Sequence, residues 1–202
     1  MTEHAYAKPP GVPWRMGADR TSPAGPGVSS RPFRIVPGIP GDWADIAADE
    51  IILVCPWLGG LDPCTGLWLA ALPIHDCNAF IDSDWTLEAP TQLRERCYVG
   101  VFALDRLRSG QQIFGPLRDK GVARLINLPS IGFFDGATAQ TFGRLAFTLD
   151  SEIGFLAQAR GLGFDTALCA RSDVALAPER AAQFDFILRH QGPDRPLRIE
   201  DA

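Results

Sequence analysis

No apolar run in this sequence approaches the roughly 18 residues that suggest a membrane span, and its start shows no charged stretch followed by an apolar segment and a small-residue cleavage site, so the expectation is a cytoplasmic protein. An excess of positive charge is also missing. A formal net charge of −5 offers no general attraction to nucleic acid or to an anionic membrane, which argues against a phosphate-backbone partner. The five cysteines (Cys55, Cys64, Cys77, Cys97 and Cys169) are odd in number and lack a CxxC or Cys/His spacing that would hold zinc. They read as reduced thiols, with Cys55, Cys97 and Cys169 in or beside apolar runs as small core residues, and no motif supports a redox role. Neither a G-x-G-x-x-G joining a strand to a helix nor a P-loop is present, which weakens a nucleotide-binding reading.

With 202 residues, 46% of them hydrophobic and 21% charged, the chain can bury one substantial core. The first 32 residues carry six prolines and four glycines and show no sustained apolar period. They predict a flexible arm, 1–32, with Tyr6 and Trp14 as possible anchors on a neighbouring subunit. Residues 33–202 have a different texture, in which short apolar runs alternate with segments of helical spacing.

Six runs read as strands: FRIV (33–36), EIILVCP (50–56), CYVGVFAL (97–104), ARLINL (123–128), DTALCA (165–170) and FDFILRH (184–190). Their continuous apolar character is that of parallel strands covered on both faces. Between them, Ser109 can cap GQQIFGPLRDK with Gly121 ending it, Asp150 or Ser151 can cap EIGFLAQAR before Gly161, and Pro178 suits a first helical turn. Alternating strand and helix imply βαβ units and a parallel sheet, either an open doubly wound sheet or a closed barrel. A complete (β/α) barrel takes about 250 residues. About 170 follow the arm and supply six strands, so the prediction is an incomplete, TIM-barrel-like α/β domain.

The run Ala123 to Ile126 is followed at once by NLPSIGFFDG (127–136). In parallel α/β folds the loops at strand carboxyl ends converge on one face and build the site. Asn127 brings an amide that donates and accepts, Pro129 stiffens the exit, and Gly132 and Gly136 permit close approach of a ligand. Asp135-Gly136 is also an ordinary turn pair.

ARLINLPSIGFFDG, with LDSEIGFLAQARGLGFDTALCA and FDFILRHQG after it and LPIHDCNAFI (72–81) before it, resembles the TIM-barrel family known as phosphoenolpyruvate hydrolase-like or TIM-barrel signal-transduction proteins. The resemblance covers roughly residues 50–192 and extends to the barrel domain of a tomato protein that inhibits a viral replicase. It implies a rim site built from Asp76, Asn78, Asp105, Asn127, Pro129, Gly132, Asp135, Gly136, Glu152, His190 and Gly192. Asp105, Asn127 and Glu152 would position a metal such as Mg²⁺ or the substrate, His190 would move a proton, and Gly132, Asp135, Asp76 and Asn78 would join Asn127 in holding a small phosphorylated or keto acid. The chain departs from the family pattern in the glycine-rich first loop, represented only by PGIPGD (37–42), in FALDR after the third strand, in CARSD after the fifth, and in the final two strands.

Each residue also has a plain structural reading. Asp76 can cap a helix, Asp135 can serve the turn, Glu152 suits a helix start, His190 can be a hydrogen-bonded core histidine, and Asp105 can pair with Arg106 or Arg108. The tryptophans Trp43, Trp57, Trp68 and Trp85 read as packing residues. Two functions follow: a hydrolase or lyase acting on a phosphoenolpyruvate-like acid, or a noncatalytic relative that binds a small molecule or serves as an accessory subunit. Unpaired edges of an incomplete barrel further predict a homo-oligomer or pairing with a full-length barrel homologue.

Overall fold

Every predicted strand forms, and the order in which they pair decides between the two architectures. A computed structural model describes residues 31–38, 43–59, 66–67, 70–72, 76–190 and 197–201. The strands are β1 (Phe33–Val36), β2 (Ile51–Val54), β3 (Cys97–Gly100), β4 (Arg124–Ile126), β5 (Asp165–Arg171), β6 (Phe186–His190) and β7 (Arg198–Asp201). They lie side by side in chain order, each parallel to the next from β1 to β6, with β7 antiparallel to β6. A doubly wound sheet reverses its strand order at a switch point. This one never does, so right-handed crossovers put the connecting helices Gly110–Asp119 and Leu149–Gly161 on one face and the opposite face closes on itself.

The burial pattern shows that closure. Phe33, Ile35, Ile51, Leu53, Tyr98, Ile126, Ala167, Cys169, Phe186, Leu188 and Ile199, drawn from all seven strands, form one cluster. Their alternating neighbours Ile52, Val54, Cys97, Val99, Leu125, Leu168, Ala170 and Ile187 pack outward with Ile113, Leu117, Ile153 and Leu156. In a flat sheet β3 and β6 would lie about 14 Å apart, three strand spacings. Yet the Tyr98 and Phe186 rings meet edge to face at 4.9 Å, and Tyr98 Oη donates to Asp185 Oδ2 at 2.7 Å. The sheet is a nearly closed, incomplete parallel β/α barrel, narrow enough that Gly100 needs to lack a side chain. A Cβ there would sit 2.7 Å from the Leu128 carbonyl oxygen.

The helix Gly110–Asp119 starts as expected at Ser109, through a reciprocal capping box with Gln112, and ends before Gly121, whose φ is 81°. The next long helix, Leu149–Gly161, is capped by Thr148, whose Oγ1 accepts from Ser151 N at 3.2 Å, rather than by Asp150 or Ser151. The earlier start places Asp150 and Glu152 in its first turn. Asp135-Gly136, for which a ligand-facing loop and an ordinary turn were both open readings, opens the helix Gly136–Arg144. β7 was absent from the predicted strands. Leu197 just before it and its Ile199 are buried and Arg189 Nε meets Glu200 Oε2 at 2.9 Å, so it adds a seventh strand beside β6.

Cys55, Cys77, Cys97 and Cys169 are buried. Trp57 is buried, and Trp43 and Trp85 pack against the outer core. Residues 1–30 of the proposed arm, with Tyr6 and Trp14, and also Cys64, Trp68, Gly192 and most of PGIPGD lie outside the described residues. Among those described, no helix is long and apolar enough to cross a membrane.

Candidate functional site at the barrel mouth

The predicted residues separate into three groups. The first holds the NLPSIGFFDG loop in place. Glu152 is fully buried beneath it, and its Oε2 accepts from Asn127 Nδ2 at 2.9 Å and Ser130 Oγ at 2.8 Å, while Oε1 accepts from Ile131 N at 2.8 Å. Asn127 in turn bridges to β5, receiving Cys169 N at 2.6 Å and donating to Cys169 O at 3.1 Å. Burial pushes the Glu152 carboxyl up to about 8, against the pull of the Ile131, Ser130 and Asn127 hydrogen bonds. Glu152 and Asn127 thus set the path of the loop from behind.

The second group stands in the mouth itself. His190 ends β6 on the inward side, in step with Phe186 and Leu188. It is 2% exposed, and neither ring nitrogen makes a hydrogen bond among the described residues. Its ring centroid lies 4.5 Å from that of Phe133, and a Cβ on Gly132 would come within 3.8 Å of Nε2. Burial lowers the imidazole to about 4; the Gly132 backbone beside it favours the charged ring without reaching hydrogen-bond geometry, and Arg171 opposes charging. The ring is therefore neutral near pH 7. A buried imidazole with both nitrogens unpaired costs free energy and calls for an explanation.

Arg171 stands beside it and was not among the predicted site residues. It ends β5 in register with His190, on the same inward parity as Ala167 and Cys169. Its guanidinium grips Asp173 through Nε at 2.8 Å and NH2 at 2.5 Å, and lies 3.5 Å from Asp135 Oδ2. The signal was present in CARSD, because alternation along β5 turns Arg171 inward once Ala167 and Cys169 are known to be core.

The third group braces two loops. Arg108 binds Asp76 bidentately at 2.8 Å through NH1 and NH2, reaches Asp105 Oδ2 at 3.1 Å and meets Asp82 Oδ2 at 2.5 Å. Asn78 donates to Asp105 Oδ2 at 2.9 Å and Phe102 O at 3.0 Å, and accepts from Phe102 N at 3.0 Å. Asp105 Oδ1 receives Leu107 N at 2.7 Å and Arg108 N at 3.2 Å. The residue was signalled by its i,i+3 spacing from Asp105, although three carboxylates sharing one guanidinium could be seen only in the fold. The guanidinium fills the centre that a hard cation would need, so this donor set does not fit Mg²⁺. Among the described residues no group of three or more His, Cys, Asp or Glu side chains is arranged to hold a metal.

A cleft of about 460 Å³ opens beside this third group, lined in part by Leu104, Asp105, Arg106, Ile113, Phe155 and Gln158. It lies at the starts of two helices, on the outer side of the barrel, and does not include His190.

No family model matches the chain. It is 30% identical over 144 residues to the uncharacterized protein y4oT of Sinorhizobium fredii, a match that covers 71% of this chain and 70% of that protein. It is 28% identical over 124 residues to the ToMV resistance protein Tm-1(GCR237) and to the ToMV susceptible protein tm-1(GCR26) of Solanum lycopersicum, covering 60% of this chain. The matched stretch spans only 16% of either tomato protein. With the similarity to y4oT extending over more than two thirds of both sequences, the chain belongs to the same family as y4oT of Sinorhizobium fredii.

Proposed function

We propose that the chain is a phosphoenolpyruvate hydrolase-like barrel, degenerate in its chemistry, that binds a small phosphorylated or keto acid at the mouth. The observation that carries this reading is His190, buried at a strand carboxyl end with neither nitrogen hydrogen-bonded among the described residues. A neutral imidazole there can donate one hydrogen bond to an acid and accept one, relieving the cost of its burial. Binding is favoured over turnover because the other two groups expected to act in catalysis are already engaged. Glu152 accepts three hydrogen bonds and Asp105 accepts four.

A second reading is an accessory subunit that associates with a second copy or with a full-length barrel homologue. It is supported by Leu107 and Leu145, which are 76% and 57% exposed on loops joined by Arg106 NH2 donating to Leu145 O at 2.8 Å.

Thermal unfolding with phosphoenolpyruvate and with pyruvate tests the first reading. A ligand at about 100 times its dissociation constant stabilises the fold by about 2.7 kcal/mol. The expected result is a rise in melting temperature in wild type and in Asp105→Asn, lost in His190→Ala. A rise that disappears in Asp105→Asn and persists in His190→Ala would move the site to the outer cleft. No rise with either acid would favour the accessory reading.

A further inference from the structure

We infer that Arg171 is the carboxylate-recognition residue of the mouth and that Asp173 occupies its guanidinium in place of the ligand. This rests on the acid-binding reading of His190 and names the group of the acid that is recognised. Arg171 and His190 are register partners on adjacent parallel strands, both ending at the carboxyl side and both directed inward. Their backbones are one strand spacing apart, and Gly132 lies against both, a Cβ built on it being 3.8 Å from His190 Nε2 and 3.9 Å from Arg171 N.

The partners of Arg171 are replaceable. Asp173 follows it by two residues, with its side chain 63% exposed, and Asp135 is 82% exposed at 3.5 Å. Ion pairs this open to water contribute little and are screened by salt. The remaining contact, NH1 to Phe134 O, is long at 3.5 Å. By contrast, Arg108, Arg34 and Arg189 are held by carboxylates at sites where the cation is mostly buried. Arg171 is thus a cation beside an unpartnered buried donor, held only by exposed carboxylates of its own chain.

The form of the Asp173 contact indicates the ligand chemistry. Nε and NH2 each take one oxygen of a single carboxylate, a planar fork that an incoming carboxylate can take over without rearranging the arginine. Asp173 then turns out to solvent. The group of the ligand that meets Arg171 is the carboxylate of a keto acid or enol acid, the same group that Asp173 presents to the fork, while His190 contacts the neighbouring carbonyl or enol oxygen. A phosphoryl group fits the same fork, and titration with inorganic phosphate separates the two.

Calorimetric titration of the full chain at low ionic strength with pyruvate, phosphoenolpyruvate and inorganic phosphate tests this. Pyruvate and phosphoenolpyruvate are expected to bind, with inorganic phosphate much weaker. Arg171→Met should weaken pyruvate about tenfold or more, the equivalent of a lost charged hydrogen bond, and Arg171→Lys should recover only part of the loss. Asp173→Asn should tighten binding roughly two- to fivefold, the equivalent of an exposed ion pair removed as competitor, a gain that misfolding cannot produce. Unchanged affinity in both Arg171→Met and Asp173→Asn, with binding lost in His190→Ala, would overturn the role of Arg171 and leave the mouth site standing. Phosphate binding as tightly as pyruvate would overturn the carboxylate assignment. Absence of binding by all three probes to wild type would remove the acid-binding reading and this one with it.

Discussion

Raising the pH from 6.5 to 8 should weaken the fold through one carboxyl group, Glu152. Its folded value is pushed from 4.5 up to about 8 by burial, so between those values the folded chain holds a proton that the unfolded chain has released. Stability from this group is complete below about 4.5 and is lost as the pH rises toward 8, at about 1.4 kcal/mol per pH unit. His190 has the opposite sign: burial lowers it from 6.5 to about 4, so the unfolded state takes up the extra proton and stability rises with pH across that window. The two slopes oppose each other up to about 6.5, above which Glu152 acts alone, giving a net loss of about 2 kcal/mol by pH 8. The hydrogen-bond geometry accommodates the neutral acid, because Ser130 Oγ can accept a proton from Oε2 as readily as donate to it. Urea unfolding from pH 5 to 8.5 on wild type and Glu152→Gln measures the effect. The amide cannot titrate and sets a donor against Asn127 Nδ2 or Ile131 N, so the variant should be less stable at about pH 5 by roughly 1–3 kcal/mol, with the gap shrinking as pH rises. A wild-type-minus-variant difference that stays flat from pH 6.5 to 8.5 would refute the assignment of a buried, protonated Glu152.

Gly100→Ala should lower stability by about 1–3 kcal/mol in thermal unfolding, since the new methyl would stand 2.7 Å from Leu128 O and 3.1 Å from Cys55 Sγ, neither of them a flexible side-chain end. A variant as stable as wild type would mean that β3 and the loop after β4 do not approach so closely. Cys55, Cys77, Cys97 and Cys169 should resist iodoacetamide at pH 8 in the folded protein and react once it is unfolded, because burial raises all four thiols, Cys77 and Cys97 to about 12. Peptide mapping that finds any of the four rapidly labelled in the native chain would contradict their place in the core.

Six strands, the cap at Ser109 and the first-turn position of Pro178 were legible in the sequence, because apolar runs and helix starts are local signals that survive in any tertiary context. β7 was not. Its alternating Leu197, Arg198, Ile199 and Glu200 make a short edge pattern that becomes a strand only by pairing with β6. The cap at Thr148 was missed in favour of Asp150 or Ser151 because all three residue types satisfy the same local rule, and packing of Glu152 under the loop selects among them. The rim residues were also only partly legible. Their residue types and spacing marked Asp76, Asn78, Asp105, Asn127, Glu152 and His190 as a set, but which group each joins depends on contacts spanning 20 to 40 positions.

By itself the sequence determined the alternating α/β class, the strand positions, the NLPSIGFFDG loop at a strand end, and a charge and cysteine pattern that argues against nucleic acid and zinc. Only the tertiary structure decided that the sheet closes on itself, that Arg108 draws Asp76, Asp82 and Asp105 together, that Glu152 supports the loop from behind, and that His190 stands unpaired beside Arg171. The reason is physical: periodicity and propensity act over a few neighbouring residues, whereas which charge meets which, and which donor is left without a partner, are settled only when strands distant in sequence come into register.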